Sequence, residues 1–348
     1  MTAIVGASHV LCAIGSGTDQ VWASARAGIA RIGSSPVEDR YFEPIQMGLV
    51  PEPALGPLTP EIDTLPLPAR ARRILRLAAP SFQAVAAGMT GPVPLYIGLP
   101  QLSGDDARWM RHVPAYLQML TGIGIDRARS VVLPLGRAAG LVALERALHV
   151  VTEDPAATVI VGGVDSLFDV DLLVALEREG RILGPTVMDG FIPGEGAAFF
   201  RLAGSASDAT LPRRAVAIGA VASVADPGHR YGDAPARGEG LAAALTDLRG
   251  RWPGRAAIAT TFAGFNGESF DAKLWGVARL RHNDFFADGM AIEHPADKFG
   301  DAGAAMGAIL VALAARSLTT GSRQGPALVW AASDREARAC AVLSLASL

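Results

Sequence analysis

The sequence predicts a layered α/β protein built from two similar halves. Three observations carry that prediction. Short apolar runs bounded by glycine and proline alternate with longer segments of helical spacing, the pattern of sheets covered by helices. Two stretches of small, apolar residues start from matching turns, Gly136-Arg137-Ala138-Ala139-Gly140 and Gly300-Asp301-Ala302-Gly303-Ala304. An internal echo of this kind is what a duplicated fold leaves. The 348 residues are half hydrophobic, only 19% charged, and include 39 glycines, enough for a large core with closely packed helices. The halves are expected at residues 1–205 and 213–348.

In chain order, Ala3-Ile4-Val5-Gly6-Ala7 reads as a strand, and Thr18 as the N-cap of a short helix centred on Trp22. Residues 34–68 are proline-rich without periodicity and read as a surface excursion. Arg70 to Ala87 has helical spacing, with Ile74, Leu77, Ala78, Phe82 and Val85 on one face. Val93 to Leu99 reads as a strand and Asp106 to Leu120 as a helix. Ser130-Val131-Val132-Leu133 reads as a buried strand, turning sharply at Gly136 into a helix of small residues. Such an elbow aims one side chain into a pocket, here Arg137. Thr158 to Asp165 is a buried strand. In the second half, strands are expected at 216–224, 256–261, 327–331 and 339–345, and helices at 236–248, 268–280 and 301–315.

Composition excludes several functions. The net charge is −3 with no basic run, which argues against nucleic acid. No metal-binding pattern is present, no glycine-rich stretch has phosphate-loop spacing, and no cofactor is implied. The N-terminus has no basic region, and no apolar run approaches about 18 residues, so a cytoplasmic protein without membrane contact is expected. The two cysteines, Cys12 and Cys340, build neither a disulfide framework nor a zinc site.

The elbow reads Arg137-Ala138-Ala139-Gly140-Leu141-Val142-Ala143-Leu144. It resembles the Cys-Ser-Ser-Gly-Leu-Val-Ala-Leu stretch of the thiolase superfamily's condensing enzymes. Asp189-Gly190-Phe191-Ile192-Pro193-Gly194-Glu195-Gly196-Ala197 and Arg237-Gly238-Glu239-Gly240 resemble ketoacyl synthases at the corresponding places and in the same order. The resemblance implies a thiolase-like fold, duplicated in five layers αβαβα, and a homodimer. It also implies where catalytic groups should stand. The nucleophile position holds Arg137, whose guanidinium is protonated at working pH and cannot attack a thioester. The first histidine position, read back from Asp271, holds Ala263. The second, in Lys298-Phe299-Gly300-Asp301, holds Asp301. The late Gly-Phe-Gly-Gly loop is replaced by Ala332-Ser333-Asp334-Arg335-Glu336-Ala337-Arg338. No catalytic residue is therefore expected.

The resemblance places the two helix starts at one pocket, so Arg137 and Asp301 are expected to pair. A buried guanidinium needs an anion, and a carboxylate is favoured at a helix start. Asn266, Glu268, His294, Lys298 and Glu195 are further candidates. The stretch from Phe265 through Trp275 to Ala305 resembles short ketoacyl-synthase-like proteins associated with type VI secretion. The expected function is thus a non-catalytic accessory or adaptor protein, as in effector loading. The alternatives are a 3-oxoacyl carrier-protein synthase-type acyltransferase, or a chain-length-factor-like partner of an active ketoacyl synthase.

Overall fold

The computed structural model describes residues 3–102, 104–204 and 214–346. The junction expected between residues 205 and 213 lies outside the described residues. The first half runs β1 (Ala3–Cys12), β2 (Gly15–Ser16), α1 (Thr18–Arg26), β3 (Gly33–Glu38), β4 (Pro44–Met47), α2 (Pro60–Asp63), α3 (Ala69–Ala86), β5 (Leu95–Leu99), α4 (Val113–Thr121), β6 (Val131–Pro134), α5 (Ala139–Glu153), β7 (Thr158–Ser166), α6 (Val170–Arg178) and β8 (Glu195–Ala203). The second runs β9 (Val216–Ala225), α7 (Glu239–Arg251), β10 (Ile258–Ala263), α8 (Ser269–Arg281), β11 (Phe286–Glu293), α9 (Ala296–Phe299), α10 (Met306–Thr320), β12 (Ala327–Ala332) and β13 (Ala337–Leu345).

The duplication is explicit in the strand order. The first half orders its strands β6-β5-β7-β8-β1, and the second β11-β10-β12-β13-β9. Directions repeat as well. β5 is parallel to β6 and β7, as β10 is to β11 and β12, and the remaining pairs in each set are antiparallel. A short antiparallel contact, Ala3↔Ile218 to Val5↔Val216, joins the sets edge to edge. Helices α5 and α10 lie between the two sets, each touching strands of both. Helices α3 and α4 cover the outside of the first set, α7 and α8 the outside of the second. The result is a thiolase-like α/β architecture of alternating helix and sheet layers.

The small residues of the central layer have a packing reason. A Cβ on Gly140 of α5 would meet the backbone nitrogen of Ala308 of α10 at 2.7 Å, so the crossing is possible only for glycine. Each central helix is preceded by a glycine at positive φ, Gly136 at 71° and Gly300 at 77°. Matching turns and this close crossing bring the starts of α5 and α10 together.

Several local expectations are corrected. β6 is half-buried rather than buried, because it is the outermost strand of its set. Thr18 lies inside α1. The cap is Gly17, and the Thr18 hydroxyl instead meets Ser8 Oγ at 2.9 Å. The helix expected from Asp106 breaks into short turns before α4, whose first turn carries Pro114. Residues 34–68 include the β3–β4 hairpin. The helix expected from Asp301 begins at Met306, after a tight turn at Gly303–Ala305. The stretch Gly303–Thr320 is also long and apolar enough to cross a membrane, with mean hydropathy 1.4 over 18 residues, contrary to the expectation of no such run. In this fold 83% of it is buried as a core helix.

Candidate functional site

The elbow is built as strand, tight turn and helix. β6 leads into the Gly136–Ala138 turn, and α5 follows without a break. The positive φ of Gly136 reverses the chain and turns the Arg137 side chain inward, where it is 8% exposed. Arg137 Nε donates to Asp301 Oδ2 at 2.5 Å, and Nη2 pairs with the same oxygen. Nη1 lies 2.8 Å from Asp334 Oδ1. The guanidinium carbon stands 5.4 Å from the centre of the Phe191 ring. Asp301 Oδ1 accepts the Gly303 N–H at 2.9 Å, so this carboxylate both caps the second turn and holds Arg137. Burial opposes the Arg137 charge, but Asp301 and Asp334 outweigh it and keep the group protonated.

A second arginine extends the network. Arg181 forks onto Glu268 (Nε to Oε1 2.9 Å, Nη2 to Oε2 2.7 Å) and reaches Asp334 and the Tyr231 hydroxyl. Its guanidinium also packs on Phe191, at 5.3 Å. Arg230 adds a second cation to Glu268, at 2.9 Å. Burial works against the Asp334 charge, yet Arg137 and Arg181 hold its pKa well below the usual carboxylate range. Asp271 is the opposite case. Burial, reinforced by Asp334, Glu268 and Asp301 and opposed by Arg137, pushes its pKa up to about 7.

The 332–338 turn closes over the elbow. Ser333 Oγ accepts the Ala138 N–H at 3.0 Å and donates to the Leu135 carbonyl. In front of the network lies a cavity of about 340 Å³. Its polar lining is made by Arg70, Arg137, Arg181 and Arg335 together with Asp165, Glu179 and Asp334, and its apolar lining includes Leu102, Leu167, Leu172 and Leu176.

No family model matches the chain, and no curated protein sequence matches it. Solved structures do. A type II polyketide acyl-carrier protein in complex with its hexaketide-bound ketosynthase superposes with a TM-score of 0.79 at 15% identity, covering 99% of each chain. The ishigamide ketosynthase/chain length factor gives 0.73 at 18%, again covering 99% of each. A ketosynthase in complex with its chain length factor from Xenorhabdus doucetiae gives 0.74 at 15%, covering 99% of this chain and 98% of that one. The fold is that of the ketosynthases. Likeness at these identities establishes the architecture and says nothing of activity.

On this ketosynthase-like frame the candidate residues separate. Arg137, Asp301 and Glu268 belong to one ion network, and Asn266 braces it: its Nδ2 donates to Glu268 Oε2 at 2.8 Å and its Oδ1 accepts the Glu268 N–H at 2.9 Å. Ala263 closes β10 within the outer core beside Trp275 and Trp330 and does not line the cavity. His294 is half-exposed, 3.8 Å from Asp297 and edge-on to Phe265. Lys298 pairs with Asp297 at 2.9 Å. Neither lines the cavity. Glu195 is fully buried and staples α3 to β8, taking Arg73 Nε and Nη2 at 2.6 Å each, the Val50 N–H at 2.8 Å and the Ser166 hydroxyl at 2.7 Å. Burial pushes the Cys12 thiol up to about 12, and Cys340 is likewise buried and raised. Sequence reasoning missed Arg70, Arg181, Ser333, Asp334 and Tyr231 as parts of the site. Only the charged turn at 333–336 gave any signal, as a departure from the family pattern.

Proposed function

We propose that this chain is a non-catalytic partner subunit, of the chain-length-factor kind, that assembles with an active ketosynthase in the cytoplasm. The observation that carries the reading is the side chain at the elbow. The positions matched to the family's nucleophile and second histidine hold Arg137 and Asp301, and these two side chains are bonded to each other. A guanidinium fixed between Asp301 and Asp334 can neither attack a thioester nor leave room for an acyl group on the elbow. The backbone N–H of Ala138, next to it, is already taken by Ser333. A donor so engaged cannot stabilise an oxyanion. The third matched position, Ala263, has no group able to move a proton.

Partnering is supported from two sides. Solved proteins of this fold include ketosynthases in complex with a chain length factor or a carrier protein. The two outer strands of this chain are also unlike each other. β11 carries a bulge between Phe286 and Ala291 around Gly289, with Asp288 exposed, which blunts it against pairing. β6 has no bulge and is apolar. We assign β6 as the edge that joins a second subunit, whether an active ketosynthase or another copy of this chain. Co-expression with a ketosynthase and an affinity tag on this chain tests the reading. A stoichiometric complex whose activity is lost when the ketosynthase cysteine is replaced supports it, and recovery of this chain free of ketosynthase refutes it.

A second reading, an accessory protein of effector secretion, rests on the stretch from Phe265 to Ala305. Its Asn266–Glu268 turn ends on the buried Glu268, which Asn266, Arg181 and Arg230 brace. The same purification separates the two readings, by whether a ketosynthase or a secreted effector is retained.

A further inference from the structure

The arginines lining the cavity are not equally satisfied. Arg137 and Arg181 spend their donors on carboxylates and on Tyr231. Arg70, on α3, makes one hydrogen bond, from Nη2 to Asp165 Oδ1 at 2.9 Å. Its Nε is buried without a partner, and its accessible Nη1 makes no hydrogen bond among the described residues, although the residue as a whole is only 9% exposed. A guanidinium has five N–H donors in a planar fork, and leaving buried donors unpaired is costly. Asp165 is a weak counter-charge. Its oxygens also serve the Ser166 and Ala304 N–H groups, and burial raises its pKa in spite of Arg70. At the mouth of the cavity Arg335 is exposed and has no carboxylate partner among the described residues. Its guanidinium lies 5.7 Å from the Tyr231 ring centre.

The geometry points to a binding site for a small monocarboxylate with an apolar body, its carboxylate on the accessible Nη end of Arg70 and its tail along Leu102, Leu172 and Leu176. Each part of that description has a separate cause. The under-bonded guanidinium calls for a planar acceptor, which a carboxylate matches and a lone carbonyl matches only in part. Hydrogen phosphate has no apolar body to lay against the leucines of the lining, so it is disfavoured. The leucine wall rewards a tail, and the cavity is at the small end of ligand sites, suiting roughly eight carbons. The site is complete within one chain and does not depend on the partner-subunit reading.

Octanoate is the probe, with octanamide and hydrogen phosphate as controls, titrated into the isolated full chain by calorimetry. Saturable one-to-one binding of octanoate is expected, with octanamide at least tenfold weaker and phosphate silent. Arg70→Lys keeps a cation for Asp165, and with it the fold, but loses the planar fork. It should weaken octanoate at least tenfold while leaving the melting temperature of the free protein nearly unchanged. Arg335→Gln, on the surface, should weaken octanoate a few-fold. Equal binding of octanamide would overturn recognition of the charge, and an unchanged affinity in Arg70→Lys would overturn the role of Arg70. Absence of saturable binding at millimolar octanoate would overturn the site itself.

Discussion

Replacing Asp301 by alanine tests whether the elbow network holds the two halves together. The substitution removes the carboxylate that takes Nε and Nη2 of Arg137 and that caps the Gly303 N–H. Breaking a buried ion pair from one side costs about 3–5 kcal/mol, because the remaining charge is stranded. Asp334 still holds Nη1, so the residual charge is not alone and the low end applies. The lost cap adds about 1 kcal/mol, partly recovered by relaxation of the turn. A net loss of about 3 kcal/mol follows. For a chain of 348 residues this corresponds to a fall in melting temperature of about 4 °C, taking an unfolding entropy of about 2 cal/mol/K per residue. Circular dichroism melts of wild type and variant at pH 7 measure it. A change below about 1 °C would refute the premise that Arg137 depends on Asp301. A companion Asp334→Ala should cost less alone, since Asp334 is 30% exposed, but the double variant should lose more than the sum, because only it leaves Arg137 without a carboxylate.

The remaining predictions follow from the same network. Asp271 has a folded pKa of about 7 against an ordinary 3.8, so its contribution to stability is complete below about 4 and is lost as pH rises through 7. Asp271→Asn should therefore flatten the decline between pH 4 and 7, and urea titrations at pH 4 and pH 8 that move in parallel for both proteins would count against this. Wild-type protein incubated with acyl-CoA or malonyl carrier protein should show neither a stable adduct nor decarboxylation by mass spectrometry. An adduct on Cys12, Cys340 or any serine would contradict it. Arg137→Cys should stay inactive, since Ala263 and Asp301 stand at the two matched histidine positions and neither supplies an imidazole. Light scattering of the chain alone at micromolar concentration should give twice 36.0 kDa, with amides of Val131–Leu133 protected from exchange. A monomer with those amides exposed would remove β6 as the joining edge.

Much of the architecture was legible because it depends on local pattern. The central helices announce themselves through runs such as Ala308 to Ala315, and the duplicated turns through their glycines, whose positive φ no other residue adopts cheaply. The edge position of β6 was not legible. Val131-Val132-Leu133 is as apolar as an inner strand, and only the order of the sheet leaves one side open. The site divides the same way. Arg137 and Asp301 stand at landmarks of the resemblance. Arg181 and Arg70 sit at no landmark, Asp334 stands in the turn that replaces a family loop, and in sequence each looks like a solvated surface charge. Their burial arises because the 332–338 turn folds back over the elbow and α3 reaches under it, contacts between segments far apart in the chain.

The network itself is better explained by specificity than by stability. Replacing a buried ion cluster with apolar groups of similar shape is often neutral or stabilising, so Arg137, Asp301, Asp334, Arg181 and Glu268 are not an economical way to fill space. What they supply is register. Asp301 and Glu268 come from the second half, Arg137 and Arg181 from the first, and Asp334 from the turn that covers both. Each guanidinium finds its acceptors only when the two helix starts are correctly placed, whereas an apolar plug would tolerate sliding. In this view the network acts as a lock, closing only when both helix starts and the 332–338 turn are in place.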